Sequence, residues 1–253
     1  MSFATLLIII IVGLLCMALP FAAMAVLRRR FGMSLRWRVA AIGALTFFVS
    51  QIVLRLPWQI PLNQLAVQNG WTSGVPFLLF GLGAAITAGF FEETGRYFAY
   101  RWFVKRPAKD DAIALGLGHG GIESALLVGV SSISTGVMLY LFANGGWNVP
   151  AEQAAALQPL LDRFAGTGWS LQLVVLLERM SAVTAHVAMS VLVYTAYVRR
   201  RWMPYFAALA VHVAIDATAA VLAGRLLVQE SIILLVGIVC LWGMIRWWRR
   251  ADG

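Results

Sequence analysis

Long apolar runs constrain this chain more than any other feature. Several stretches of about 18 or more mostly apolar residues follow one another along the sequence. A helix of that length crosses the hydrocarbon core of a bilayer, and a helix satisfies its own backbone hydrogen bonds there. The pattern therefore predicts an all-α, polytopic membrane helix bundle. We expect one integral membrane domain over residues 1–253, and a conventional soluble core is excluded.

The charge of the chain fits the same class. Hydrophobic residues make up 61% of the sequence and charged residues 12%, with a net charge of +9. The basic residues stand in short clusters at the ends of the apolar runs, which is a topological signal of membrane proteins, so no nucleic-acid partner is expected. Cys16 and Cys240 lie in the middle of apolar runs. We expect both to be free, buried thiols.

The apolar runs predict about seven transmembrane helices. Their expected bounds are 4–27, 39–54, 76–100, 110–143, 170–197, 203–223 and 231–247. Pro57 and Pro61 are expected to break the chain after the second span. The longest loop, 144–168, is expected to hold a short amphipathic surface helix at 150–164.

The basic clusters also predict an orientation. Loops after spans one, three, five and seven hold 15 of the 20 Lys and Arg residues, and the opposite side holds Arg55, Arg163 and Arg225. By the positive-inside rule, the C-terminus is cytoplasmic and the N-terminus lies outside. The expected location is the bacterial cytoplasmic membrane.

A cluster of charges interrupts the third span. Glu92, Glu93 and Arg96 lie in the sequence Glu-Glu-Thr-Gly-Arg, and each charge costs roughly 2.5–3.5 kcal/mol at membrane depth on insertion scales. Arg96 follows the two glutamates by four and three residues, so all three side chains can meet on one helix face. The cluster is either a self-neutralising ion pair or a buried acid-base site.

The depth of the ionisable residues in the membrane favours a buried acid-base site. At 1.5 Å per residue, Glu92, His119 and His212 lie about 13, 12 and 16 Å from the cytoplasmic ends of their spans. Three helices thus bring ionisable groups to similar depth. If their faces converge, the helices within residues 75–225 form one catalytic site.

Two histidines each have an acid one helical turn further on. His119 is followed by Glu123, and His212 by Asp216. Such a pair shares one helix face and can bind a metal, or the carboxylate can orient the imidazole. The plain alternative is a helix-to-helix hydrogen bond. The glycines beside His119, at Gly116 and Gly118 among others, allow close approach of either a helix or an extended peptide.

The fifth span carries three further polar residues. We interpret Glu178 and Arg179 as a structural ion pair, with His186 supporting the site from behind. The sequence contains no Ser/His/Asp or Cys/His pattern of comparable quality, and His-Glu-x-x-His is absent. Amide hydrolysis needs a base for water and a group that stabilises the oxyanion, which glutamate and histidine can supply. Three histidines and several carboxylates can also hold one divalent ion.

Together these motifs resemble the YhfC family of intramembrane proteases. The resemblance rests on Glu-Glu-Thr-Gly-Arg at 92–96, Gly-His-Gly-Gly-Ile-Glu-Ser at 118–124, Glu-Arg at 178–179 with His186, and His-x-x-x-Asp at 212–216. That family is similar to the type II CAAX prenyl endopeptidases, the bacteriocin-processing CPBP proteins and the PrsW proteases. The same group includes the non-peptidase APH subunit of gamma-secretase.

The resemblance implies roles for these residues. Glu92 would be the general base that activates water, assisted by His119, while Glu93 and Arg96 would support the site. The spacing from the two glutamates to the arginine is one residue shorter than in the CAAX-type motif. Arg96 is therefore free to pair with a different glutamate.

His212 would stabilise the oxyanion, with Asp216 where CAAX-type enzymes often carry Asn. Glu123 beside His119 is additional and is similar to the PrsW pattern. Two mechanisms stay open: water activated by glutamate and histidine alone, or a divalent metal such as zinc held by His119, Glu123 and His212.

The expected function is an intramembrane endopeptidase that acts near the cytoplasmic face. Its partners would be the lipid bilayer and a membrane-embedded or membrane-anchored polypeptide substrate. One alternative is a non-catalytic scaffold or chaperone of the APH type. Another is a proton-coupled transporter, which predicts inverted repeats and broken helices.

Overall fold

The structure is a bundle of long helices. It is a computed structural model that describes residues 1–147 and 149–251, without the side chains of 163–169, 250 and 251, and this part contains no strand. Seven helices within it are long and apolar enough to cross a membrane. They are α1 Phe3–Phe31, α2 Trp37–Gln68, α3 Gly74–Val104, α4 Lys109–Ala143, α5 Ala151–Arg199, α6 Met203–Val221 and α7 Leu226–Ala251. The predicted all-α bundle is confirmed, and the protein is an integral membrane protein.

Helix α2 is longer than the predicted span 39–54. It continues through Pro57 and Pro61 to Gln68. Pro57 lies in the first turn of the α-helical stretch that follows a π-helical segment at Phe48–Arg55, so its missing N–H leaves no bond unmade. The expectation that these prolines break the span was wrong, because the change in helix type accommodates the first of them.

Helix α5 also differs from its prediction. The segment 150–164 is not a separate surface helix but the beginning of Ala151–Arg199, whose last 30 residues form the membrane span. Gly166 and Gly168 each lower helix propensity by about 1 kcal/mol relative to Ala, which weakens a helix without ending it. The connection between α4 and α5 is therefore short. The Arg163 side chain used in the charge count lies outside the described side chains.

Helix α4 is in close contact with two neighbours through its glycines. A Cβ atom added to Gly118 would lie 1.9 Å from the carbonyl oxygen of Ala40 on α2. At Gly116 it would lie 2.5 Å from Cα of Val187 on α5. Close helix approach, one of the two roles expected for these glycines, is thus observed. It brings the backbone around His119 against both partner helices.

An ion pair anchors the beginning of α4. Asp111 accepts from Arg36 at 2.6 and 2.8 Å and from the backbone N–H of Ala108 at 2.7 Å. The bond to Asp111 raises the pKa of the Arg36 guanidinium above its usual value. The loop between α1 and α2 is thereby tied to the N-terminus of α4, where a carboxylate also interacts favourably with the helix dipole.

Candidate active site

All three histidines of the chain meet in one cluster. The ring of His186 lies between the other two, with centroids 5.4 Å from His119 and 5.7 Å from His212. They come from α5, α4 and α6, and α3 adds Glu92 and Glu93 from its buried face. The faces that the depths predicted to converge do converge.

Glu92 is held from three directions. Its Oε2 lies 2.8 Å from Nε2 of His119 and 3.6 Å from a guanidinium nitrogen of Arg96. Its Oε1 accepts a hydrogen bond from the side-chain amide of Gln51 on α2. A carboxylate fixed in this way has one oxygen directed at an imidazole and one oriented by an amide.

Arg96 pairs closely with Glu93 and only distantly with Glu92. One guanidinium nitrogen bonds Oε1 of Glu93, and another lies 2.6 Å from Nδ1 of His186. The same Oε1 of Glu93 lies 2.8 Å from Nδ1 of His212. Arg96 and Glu93 are fully buried, so the ion-pair interpretation of the charge cluster holds for these two residues. Arg96 and Glu93 form an ion pair, while Glu92 faces a histidine.

The hydrogen bonds assign proton positions to two of the imidazole rings. A guanidinium only donates, so Nδ1 of His186 must accept from Arg96, and a neutral ring then carries its proton on Nε2. Glu93 accepts from Nδ1 of His212, so a neutral ring there leaves Nε2 with a free lone pair. His212 can therefore bind a metal or a proton through Nε2, whereas a neutral His186 presents a donor.

The polar residues of α5 lie closer to the site than predicted. Arg179 forms the expected ion pair with Glu178 and also reaches Oε1 of Glu123 at 3.5 Å. His186 does not stand behind the site. Its Nε2 lies 2.7 Å from Oε2 of Glu123, and its Nδ1 contacts Arg96, so it is a full member of the cluster.

Asp216 marks the open side of the cluster. Its side chain is 38% exposed, against 4% for His212 and 3% for Glu92. Its Oδ2 lies 3.6 Å from Nε2 of His212. The free nitrogen of His212 is thus beside the most accessible acid of the site.

Two site residues were missed from the sequence. Gln51 bonds Glu92, and Arg55 supports Gln51 through a 3.0 Å bond to its Oε1. Arg55 also donates to the carbonyl oxygen of Ala84 at 2.8 Å. Its assignment to a loop was wrong because α2 extends to Gln68 and includes it. The available signal was a glutamine inside an apolar run with an arginine four residues later.

The site can be tested for its fit to a metal ion. One potential ligand atom from each of Glu92, His119, Glu123 and His186 lies within 4.8 Å of all the others. Imidazole and carboxylate are donors that zinc accepts. Nδ1 of His119 is buried without a hydrogen-bond partner among the described residues. The donor set and this unpaired atom fit a divalent cation.

Charge balance gives a second test. The residues that ion pairs and hydrogen bonds join to the cluster contain five carboxylates and three guanidiniums, from Glu92, Glu93, Glu123, Glu178, Asp216, Arg55, Arg96 and Arg179. With neutral histidines, two negative charges are left over, which equals the charge of one divalent ion. Uncompensated charge is costly at membrane depth. A bound cation, a protonated imidazole or a protonated carboxyl group can offset it.

Two ligand sets share the same core. The set expected from the sequence is His119, Glu123 and His212. The compact group in the structure also contains His119 and Glu123 but adds Glu92 and His186 in place of His212. As a further metal ligand, His186 is favoured because it lies close to His119 and Glu123. His212 is favoured because its Nε2 has a free lone pair.

Comparison with known proteins gives two matches. The sequence profile of the family described as "YhfC intramembrane metalloprotease" matches residues 15–238, which include every site residue named above. An uncharacterized membrane protein, YhfC of Bacillus subtilis (strain 168), is 33% identical over 193 residues. That match covers 75% of this chain and 74% of the relative. No solved structure matches the chain significantly.

Proposed function

This chain belongs to the YhfC intramembrane metalloprotease family, and we propose that it hydrolyses a peptide bond of a membrane-embedded or membrane-anchored polypeptide. The observation that carries the proposal is the convergence of Glu92, His119, Glu123 and His186, whose potential ligand atoms lie within 4.8 Å of one another inside an apolar bundle. Cleavage would occur near the basic end of the bundle, which the positive-inside rule assigns to the cytoplasm. The protein would reside in a bacterial cytoplasmic membrane.

In this proposal Glu92 is the general base. Gln51 holds Oε1, so Oε2 is left to take a proton from water beside Nε2 of His119. A divalent metal would be held by His119 and Glu123 with either His186 or His212, and would supply a more acidic bound water and a polarised carbonyl. Glu92 performs the same proton transfer with or without that ion.

His212 has two possible roles, and they exclude each other. As a neutral ring it offers the Nε2 lone pair to a metal. As a charged ring it donates from Nε2 to the oxyanion of the tetrahedral intermediate. Glu93 at Nδ1 and Asp216 near Nε2 are placed to stabilise the charged ring. The supporting residues Arg96, Glu93 and Gln51 keep the geometry in either case.

The test is cleavage of membrane peptides by purified protein in lipid bilayers. Glu92→Gln keeps the shape of the side chain but removes the base, and general-base catalysis contributes about 10²–10⁴-fold. We expect a rate loss of that size. Glu152→Gln, the same substitution at an exposed position at the beginning of α5, should leave the rate unchanged. Chelator treatment with metal analysis then separates the two mechanisms.

A scaffold of the APH type predicts a different result. It would bind a partner helix without cleaving it, and binding would depend on the shape of the polar cluster. Folded Glu92→Gln protein that cleaves as fast as wild type would contradict the assignment of Glu92. Loss of cleavage with unchanged capture of the substrate peptide would support the enzyme over the scaffold.

A further inference from the structure

A strongly basic cavity opens at the end of the bundle that carries the charged loops. It has a volume of about 770 Å³ and is lined by the ends of α3 and α5, the segment 105–108 and Trp202. Five of its lining residues are cations, and none is acidic: Arg101, Lys105, Arg106, Arg200 and Arg201. None of the five forms an ion pair within the described part of the chain. The cavity therefore concentrates positive charge without internal compensation.

The backbone at this cavity is strained at two cationic positions. Lys105 has φ 59° and Arg200 has φ 53°, and among the described residues they are the only non-glycine residues with positive φ. Glycine or asparagine is the usual residue in that region because a Cβ atom clashes there. Both residues directly follow a helix end, Lys105 after α3 and Arg200 after α5. The turns at these two helix ends bring both cations into the lining of one cavity.

An apolar groove continues from the cavity. The two share Tyr97, Arg101 and Trp202, and the groove of about 780 Å³ follows the seam between α3 and α6. Tyr97 stacks on Trp202 at the junction, with ring centroids 5.2 Å apart. The groove walls present exposed rings to the surroundings, from Phe90, Phe98 and Phe206. A basic cavity joined to an aromatic groove can accommodate the two parts of an amphiphile, an anionic head group and an apolar chain.

We propose that this cavity and groove bind an anionic phospholipid of the bilayer. Its phosphate lies among the five cations, and one acyl chain lies along the groove between α3 and α6. Basic pockets between transmembrane helices recognise anionic headgroups, and Tyr and Trp rings are favoured at headgroup level. This lipid-binding proposal does not rest on the proposed protease activity, because none of the five cations belongs to the histidine and glutamate cluster.

The groove chemistry favours a lipid over an acidic peptide. Its polar side-chain groups away from the basic mouth are the hydroxyls of Thr94 and Tyr205, which bond each other at 2.8 Å. An extended peptide in the groove would leave its backbone N–H and C=O groups unpaired in an apolar setting. A hydrocarbon chain has no such groups.

The experiment is native mass spectrometry of the delipidated full chain. Phosphatidylglycerol and phosphatidylcholine with identical acyl chains are titrated separately. The cavity variant carries Arg106→Gln, Arg200→Gln and Arg201→Gln. The control carries Arg28→Gln, Arg29→Gln and Arg30→Gln, which remove the same charge from the exposed end of α1, outside the cavity.

We expect wild type to bind phosphatidylglycerol at least about tenfold more tightly than phosphatidylcholine, because each nearby cation contributes on the order of a fivefold gain for an anionic headgroup. The cavity variant should lose that preference and the α1 variant should keep it. Equal loss in the two triple variants would show general surface attraction and overturn the proposal.

Competition on wild type protein needs no variant. Soluble glycerol phosphate carries the same anionic group without chains, and we expect it to displace the lipid only at far higher concentration. Displacement at equal concentration would mean that the site binds a free anion, and tighter binding of an acidic peptide would mean a polypeptide site. Either result would overturn the lipid assignment.

Discussion

The buried cluster has two faces that are built differently. On the Arg96 face, formed by Arg96 and Glu93, charge-assisted bonds join the two residues to each other and to Nδ1 of His186 and His212. The Glu92 face, formed by Glu92, His119, Glu123, Asp216 and Nε2 of His212, includes the 38% exposed side chain of Asp216, whereas Arg96 and Glu93 are fully buried. Adjacent glutamates of one helix thus have different partners: Glu93 bonds Arg96 and His212, while Glu92 bonds Gln51 and His119. The proposed function accordingly gives Glu93 a supporting role and Glu92 the role of base.

Loss of Arg96 should have the largest effect. Arg96→Leu leaves Glu93 as an uncompensated buried charge, and breaking a buried ion pair costs about 3–5 kcal/mol. We expect a destabilised protein that melts well below wild type in detergent. Arg179→Leu is the matched control. We expect it to lose less stability, because its partner Glu178 is less deeply buried than Glu93. Equal melting temperatures for Arg96→Leu and wild type would contradict the supporting role of Arg96.

Identical substitutions at the two glutamates should separate stability from activity. Glu93→Gln keeps an oxygen that can accept from Arg96, and Glu92 remains 3.6 Å from that guanidinium, so we expect about 1–3 kcal/mol of lost stability, less than for Arg96→Leu. Glu92→Gln should instead lose cleavage with a smaller change in melting temperature. Thermal melting and cleavage are measured on both proteins. The reverse pattern would exchange the roles of the two residues.

Zinc binding should distinguish the two histidines that compete as ligands. Since Arg96 occupies Nδ1 of His186 while His212 has a free Nε2, His212→Gln should weaken zinc binding more than His186→Gln. We expect a difference of about 10–100-fold, the range seen when support of a metal site is lost. Zinc titration with metal analysis measures it without any substrate. A greater loss in His186→Gln would mean that metal binding displaces Arg96.

Gln51 should give the smallest effect. Gln51→Leu removes the donor to Oε1 of Glu92 and leaves Arg55 without one of its bonds. Hydrogen bonds to charged groups contribute about 1.5–3 kcal/mol. Because Glu92 keeps its contacts with His119 and Arg96, we expect a loss at the lower end of that range, which is roughly tenfold slower cleavage. Gln59→Leu on the same helix, which bonds Asn63 instead, is the control. Equal rates in the two variants would remove Gln51 from the site.

The comparison between α4 and α2 shows where prediction from the sequence worked and where it did not. His119 and Glu123 stand out because an imidazole and a carboxylate are costly in an apolar run, so the sequence alone marks them as candidate site residues. Gln51 and Arg55 carry the same signal, yet the prolines after them indicated the end of a span. A π-helical segment accommodates Pro57, and such local changes of helix type are not readable from hydropathy.

His186 shows a second limit of prediction from the sequence. Its distance from Arg179 along α5 indicates one helix face, but the neighbour of that face depends on how α5 packs against α4. Gly116 and Gly120 let the two helices approach until His186 lies beside Glu123 and Arg96. Glycines permit such a close approach, but they do not specify which helix packs against them.

The sequence by itself determined the class of protein, the number of spans and most of the polar residues of the site, because the bilayer penalises each misplaced charge separately. The positive-inside orientation stays a prediction. Only the tertiary structure decided which glutamate pairs with Arg96, which nitrogen of His212 is free, and that Gln51 joins the site. Those outcomes depend on distances of a few ångströms between different helices, and helix packing sets such distances through contacts that no single segment contains.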